Sequence, residues 1–101
     1  MFVWMFLPAV AAAQLNCNVG VEFYPEGGIK SCKLNGDHRV YTAQGRAVTC
    51  ADGYVAVQFP GGRLKSCTLA ATFVYDARPC TAGSRIEFSL DGTVSKCEPG
   101  S

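Results

Sequence analysis

Apolar and polar residues alternate along this chain in short runs, and glycine closes most of them. Val21-Glu22-Phe23, Val57-Gln58-Phe59 and Ile86-Glu87-Phe88 each put two apolar side chains on one side of an extended segment and a polar one on the other. That period of two is the mark of a strand with one buried face. Each run leads into a glycine turn: Glu26-Gly27-Gly28, Pro60-Gly61-Gly62 and Asp91-Gly92. Glycine supplies the positive φ that tight hairpins need. The chain then returns through Ile29, Leu64 or Val94, which are expected to join the aromatic residue on the buried side, with Phe59 in the core. These are three β-hairpins.

The three segments align over a longer stretch. Cys17-Asn18-Val19-Gly20, Cys50-Ala51-Asp52-Gly53 and Cys80-Thr81-Ala82-Gly83 open them. Ile29-Lys30-Ser31-Cys32, Leu64-Lys65-Ser66-Cys67 and Val94-Ser95-Lys96-Cys97 close them. Units of about residues 15–34, 48–69 and 78–98 therefore repeat, with opening cysteines 33 and then 30 residues apart. Between them, Arg39–Thr42 and Arg46–Thr49 flank Ala43-Gln44-Gly45 as a fourth hairpin, and Thr72–Tyr75 forms a further strand. Pro79 marks a boundary or an edge, because it would cost a central strand a ladder hydrogen bond. Lys33–Asp37 and Thr68–Ala70 join the hairpins. The predicted fold is all-β: an antiparallel meander of eight to ten short strands in one small domain. A lone hairpin is marginal in water, so the units must pack on one another.

Six cysteines are all found within residues 17–97, and an even, dense set in an exported chain reads as a disulfide framework. The repeat favours Cys17 with Cys32, Cys50 with Cys67 and Cys80 with Cys97 among the pairings open to six cysteines. Each bridge would close a loop of 15 or 17 residues, worth about 3 kcal/mol through restriction of the unfolded chain. No two cysteines are closer than 13 residues and there is one histidine, so neither a zinc knuckle nor a C-x-x-C redox motif is present. No metal and no cofactor is expected.

The first thirteen residues stand apart. Met1–Leu7 is almost wholly apolar, and Ala9–Ala13 ends in the A-x-A pattern of Ala11 and Ala13, which reads as a secretory signal peptide over residues 1–13. The run is too short to span a bilayer, which takes roughly 20 residues. No Lys or Arg precedes it, which a start codon placed too late would explain. The opposing reading makes it a first strand of the domain. Removal would leave residues 14–101, in a secreted or periplasmic protein without a transmembrane segment. Gln14-Leu15-Asn16 before Cys17 lacks the small residue of a lipoprotein site, and lipidation would strand an odd cysteine. Nine Lys or Arg against eight Asp or Glu, a net charge of +1, leave no electrostatic footprint for nucleic acid.

The recurring Phe, glycine turn, aliphatic residue and Ser-Cys resemble the Gly-turn hairpin repeats of the MORN type, in a cysteine-bearing form found in small exported bacterial proteins. The resemblance covers most of Cys17 to Cys97, without the Tyr/Trp-x-Gly signatures of regular MORN units. It implies a scaffold or binding surface and transfers no functional residue.

Candidate chemistry is sparse. His38 follows Asp37 in a polar, turn-like stretch, where a solvated loop histidine is expected and no nucleophile motif accompanies it. Lys30 and Lys65 hold equivalent positions, with Arg63 and Lys96 near them. They would form either a basic ladder or cross-strand pairs with Glu22, Gln58 and Glu87. Tyr24, Tyr41, Tyr54 and Tyr75 do not share a repeat position and are expected to be half-buried strand residues. The function expected is therefore non-enzymatic: an envelope binding or structural module whose partner is another envelope or extracellular macromolecule. The alternatives are a small secreted hydrolase using His38 or carboxylates such as Asp37, and a disulfide-rich inhibitor or effector.

Overall fold

A computed structural model describes residues 15–18 and 20–100; the expected signal peptide lies outside them. Among the described residues there are ten strands: β1 (Glu22–Phe23), β2 (Ile29–Lys33), β3 (His38–Tyr41), β4 (Ala47–Cys50), β5 (Val55–Gln58), β6 (Leu64–Thr68), β7 (Phe73–Tyr75), β8 (Arg78–Cys80), β9 (Arg85–Phe88) and β10 (Val94–Glu98). All pairing between strands is antiparallel. The three expected hairpins, β1–β2, β5–β6 and β9–β10, lie side by side in one six-stranded sheet of order β1-β2-β5-β6-β9-β10. The meander leaves this sheet twice, as the separate hairpins β3–β4 and β7–β8.

The main-sheet hairpins share one turn. Tyr24, Phe59 and Ser89 donate their N–H to the carbonyls of Gly28, Arg63 and Thr93, at 2.8 Å in each case. Gly27, Gly62 and Gly92 donate back to the carbonyls of Tyr24, Phe59 and Ser89. The last residue of each three-residue loop is a glycine with φ of 105°, 91° and 90°, which an L side chain would strain. Two residues beyond the turn, each return strand bulges. Lys30 and Ser31 together face Glu22, Lys65 and Ser66 face Val57, and Ser95 and Lys96 face Glu87. The extra residue changes the phase of the strand. Ile29 and Cys32, three apart, would point to opposite sides of a regular strand, and the bulge lets both face the core.

That register overturns part of the expected facing. Gln58, not Phe59, stands opposite Leu64, in the place that Phe23 holds against Ile29 and Phe88 against Val94. Gln58 is therefore buried, and Phe59 turns outward and is only half-buried. Phe88 and Ile86 fill the core as expected, whereas Phe23 is 61 % exposed at the sheet edge.

Leucines join the hairpins in series. Leu34 donates its N–H to the Tyr54 carbonyl and accepts from Gly53; Leu69 does the same with Ser84 and Gly83. Both side chains are buried. The disulfides are Cys17–Cys32, Cys50–Cys67 and Cys80–Cys97. The last two tie the ends of β4 and β8 to the main sheet. Phe73 of β7 meets Phe88 edge to face, with ring centroids 5.6 Å apart, and carries the Arg46 guanidinium 4.3 Å above its own ring. Arg46 also donates to the Val74 carbonyl. The two excursions thus lock together as a second layer over the core. Where the sequence suggested a boundary at Asp76–Pro79, Asp76 and Ala77 adopt positive φ and the chain doubles back as β8. Pro79 sits opposite Val74 in this two-stranded sheet, where its missing N–H costs little.

Candidate functional site

His38 begins β3 opposite Cys50 and is half-buried, so the expectation of a solvated loop histidine is corrected. Its neighbour Asp37 is committed to the backbone. The Asp37 carboxylate accepts the Asp52 N–H at 2.8 Å, and the Asp52 carboxylate accepts the Gly36 N–H at 2.7 Å. These two side chains close adjoining loops, which is why side-chain acceptors suit those positions. Among the described residues no three His, Cys, Asp or Glu side chains gather as a metal site requires.

Two clefts stand out, and neither His38 nor Asp37 lines either of them. One, of about 660 Å³, runs between the β7–β8 turn and β10, past Tyr75, Asp76, Arg78, Ser95 and Lys96. The other, of about 490 Å³, lies between the first two turns and is bordered by Phe23, Ile29, Gln58 and the glycines. Gln58 spends its amide N–H on the Gly62 carbonyl at 3.0 Å.

The outward face of the main sheet is the third feature. Lys30 and Lys65, the bulged residues, reach back over the rings of Tyr24 and Phe59, 6.0 and 5.7 Å from the centroids. Among the described residues the suggested partners make no ion pair with Lys30 or Lys65. Glu22 accepts the Ser31 hydroxyl, Gln58 is buried, and Glu87 stands opposite Lys96. Arg85 lies across β6 to β5, donating to Ser66 Oγ, Thr68 Oγ1 and the Val55 carbonyl at 3.1, 3.4 and 2.7 Å. Burial pushes its pKa down while the Glu87 charge pushes it up. Nothing in the sequence marks Arg85, since its partners are on other strands.

No family model, curated protein or solved structure matches this chain. The four tyrosines have separate duties. Tyr24 donates its hydroxyl to the Gln58 carbonyl at 2.6 Å, and Tyr75 packs against the core. Tyr41 and Tyr54 are exposed, at 44 and 55 %, against the half-buried setting expected of them. Cys17 is half of a disulfide. The described residues contain no helix long and apolar enough to cross a membrane.

Proposed function

We propose that this chain is an exported, non-enzymatic module that binds or braces another macromolecule outside the cytoplasm. The observation that carries the reading is that the Asp37 carboxylate, which a hydrolase would need beside His38, is bonded to the chain's own backbone. Asp37, Asp52, Thr42 and Asp91 all accept main-chain N–H groups, while a broad sheet face stays open to solvent. The MORN-like pattern of its hairpins fits such a scaffold. Three disulfides in so small a domain suit an oxidising compartment, and the apolar run ending in Ala11 and Ala13 supplies the export address.

The double variant Asp37→Asn/His38→Ala tests it. The amide introduced in place of the Asp37 carboxylate keeps an acceptor for the Asp52 N–H but cannot take up a proton, so the fold survives while any acid–base pair is lost. The variant should complement a chromosomal deletion as well as the wild type, from the envelope fraction and with an intact mass beginning at Gln14. A folded variant that fails to complement would replace this reading with the hydrolase.

A further inference from the structure

The outward face of the main sheet is uneven in charge. The neighbouring strands β2, β5 and β6 hold Lys30, Lys33 and Lys65 and no acidic residue. Glu22 borders this region on β1, and Glu87 and Glu98 border it on β9 and β10. Down its middle β5 presents Val55, which is 43 % exposed, and Val57. Lys33 stands directly opposite Val55. Arg85 enters from the side and rests on three neutral oxygens. Among the described residues the only ion pair is Lys96–Glu98, so these four cations are free of one.

Two of the four are also oriented in advance. Lys30 on Tyr24 and Lys65 on Phe59 are the same device at the same place in successive hairpins. Adjacent strands are about 4.8 Å apart, so β2 and β6 set the two ammonium-bearing strands roughly 10 Å apart with β5 between them. In the third hairpin both members are replaced together, by Ser89 and Ser95. Holding long side chains over a ring before a ligand arrives lowers the ordering cost of binding.

We propose that this face binds an acidic polysaccharide, a deepening of the module reading above and dependent on it. Carboxylate, sulfate or phosphate groups of the polymer meet Lys30, Lys33, Lys65 and Arg85, and the apolar faces of the sugar rings lie on Val55 and Val57. A peptide fits less well, because β2 and β6 already pair with both edges of β5 and leave its backbone nothing to offer. An anionic bilayer fits less well too. The apolar residues here are valines level with the sheet, and Glu22, Glu87 and Glu98 would have to approach the lipid charge. A glycan with spaced charges can lie between those acids.

Binding to heparin and to polygalacturonate by calorimetry tests the proposal, with neutral dextran, poly-glutamate and phosphatidylglycerol vesicles in parallel. At least one acidic glycan should bind, more weakly as salt rises, and dextran should not. Lys65→Glu should weaken binding by at least about tenfold, with a melting temperature lower by no more than about 8 °C for the lost contact on Phe59. Arg39→Glu, the same charge change on the exposed face of β3, should leave it within a factor of about two. Absence of glycan binding, preference for poly-glutamate or vesicles, or equal losses in the two variants would each overturn the proposal. None of these results touches complementation by Asp37→Asn/His38→Ala, so the module reading fails or stands separately.

Discussion

Three phenylalanines that look alike in sequence should respond very differently to truncation. Phe88 is 3 % exposed, faces the core and meets Phe73 edge to face; Phe88→Ala should cost about 3 to 5 kcal/mol. Phe59 is half-buried on the other face, under Lys65. Its loss removes part of a ring's burial and an exposed cation–π contact, together about 1 to 2 kcal/mol. Phe23, at 61 % exposure, should cost no more than about 0.5 kcal/mol. In a domain of this size each kcal/mol moves Tm by about 4 to 8 °C. The three variants should therefore fall by roughly 12 to 40, 4 to 16 and under 4 °C. Thermal melts of the oxidised proteins, checked by urea titration at constant m-value, read this directly. A Phe59→Ala protein as unstable as Phe88→Ala would show that Phe59, not Gln58, faces the core, and the register with its bulges would be wrong.

Two further outcomes follow from the same structure. Replacing Cys50 and Cys67 together by alanine should cost about 3 kcal/mol, as expected for a loop of this length, and non-reducing peptide mapping of the wild type should find no free thiol; a bridge between cysteines of different repeat units would refute the pairing. The Asp91 carboxylate accepts the backbone N–H and the hydroxyl of Thr93, which hold its pKa below the usual carboxylate range. It therefore steadies the third turn above the pKa of the unfolded chain, and that support is lost as pH falls through the lower folded value. Carbon-detected titration by NMR should give a midpoint below that of a free aspartate, and one at or above it would refute the assignment.

The hairpins were legible because glycine and alternation mark them locally, and the disulfide pattern because the cysteines repeat with them. The facing was not. Alternation makes Val57 and Phe59 look buried, and only the place of Leu64 in the turn frame puts Gln58 inside. A signal was present: counting back six residues from Ile29, Leu64 and Val94 reaches Phe23, Gln58 and Phe88. The spacing of three between each of those aliphatic residues and its cysteine likewise demands a bulge if both are buried. The return strand β8 was hidden because its turn uses Asp76 and Ala77 at positive φ, where glycine is the usual cue. His38 looked like a loop residue since Asn35-Gly36-Asp37 precedes it, and β3 starts one residue later. Arg85 was illegible, because its role depends on oxygens from β5 and β6.

The C-x-x-G segment shows how far a local motif can serve a distant partner. In sequence it resembles the start of its own hairpin, but Gly53 and Gly83, with φ of 82° and 90°, turn their N–H groups to the leucine of the hairpin before. That leucine follows the preceding closing cysteine by two residues, so each joint needs a leucine from one unit and a glycine from the next. Burial of Leu34 and Leu69 contributes roughly 1.5 to 3 kcal/mol apiece, comparable with a disulfide. Neither residue belongs to one hairpin alone, which ties the stability of each hairpin to its neighbour. The position equivalent to Leu34 and Leu69 after Cys97 is Pro99. Proline has no N–H to donate, and Lys96 and Glu98 place charges along the free edge of β10. The donating half of the joint is therefore lost there, and the two charges discourage the strand addition that an open sheet edge otherwise invites.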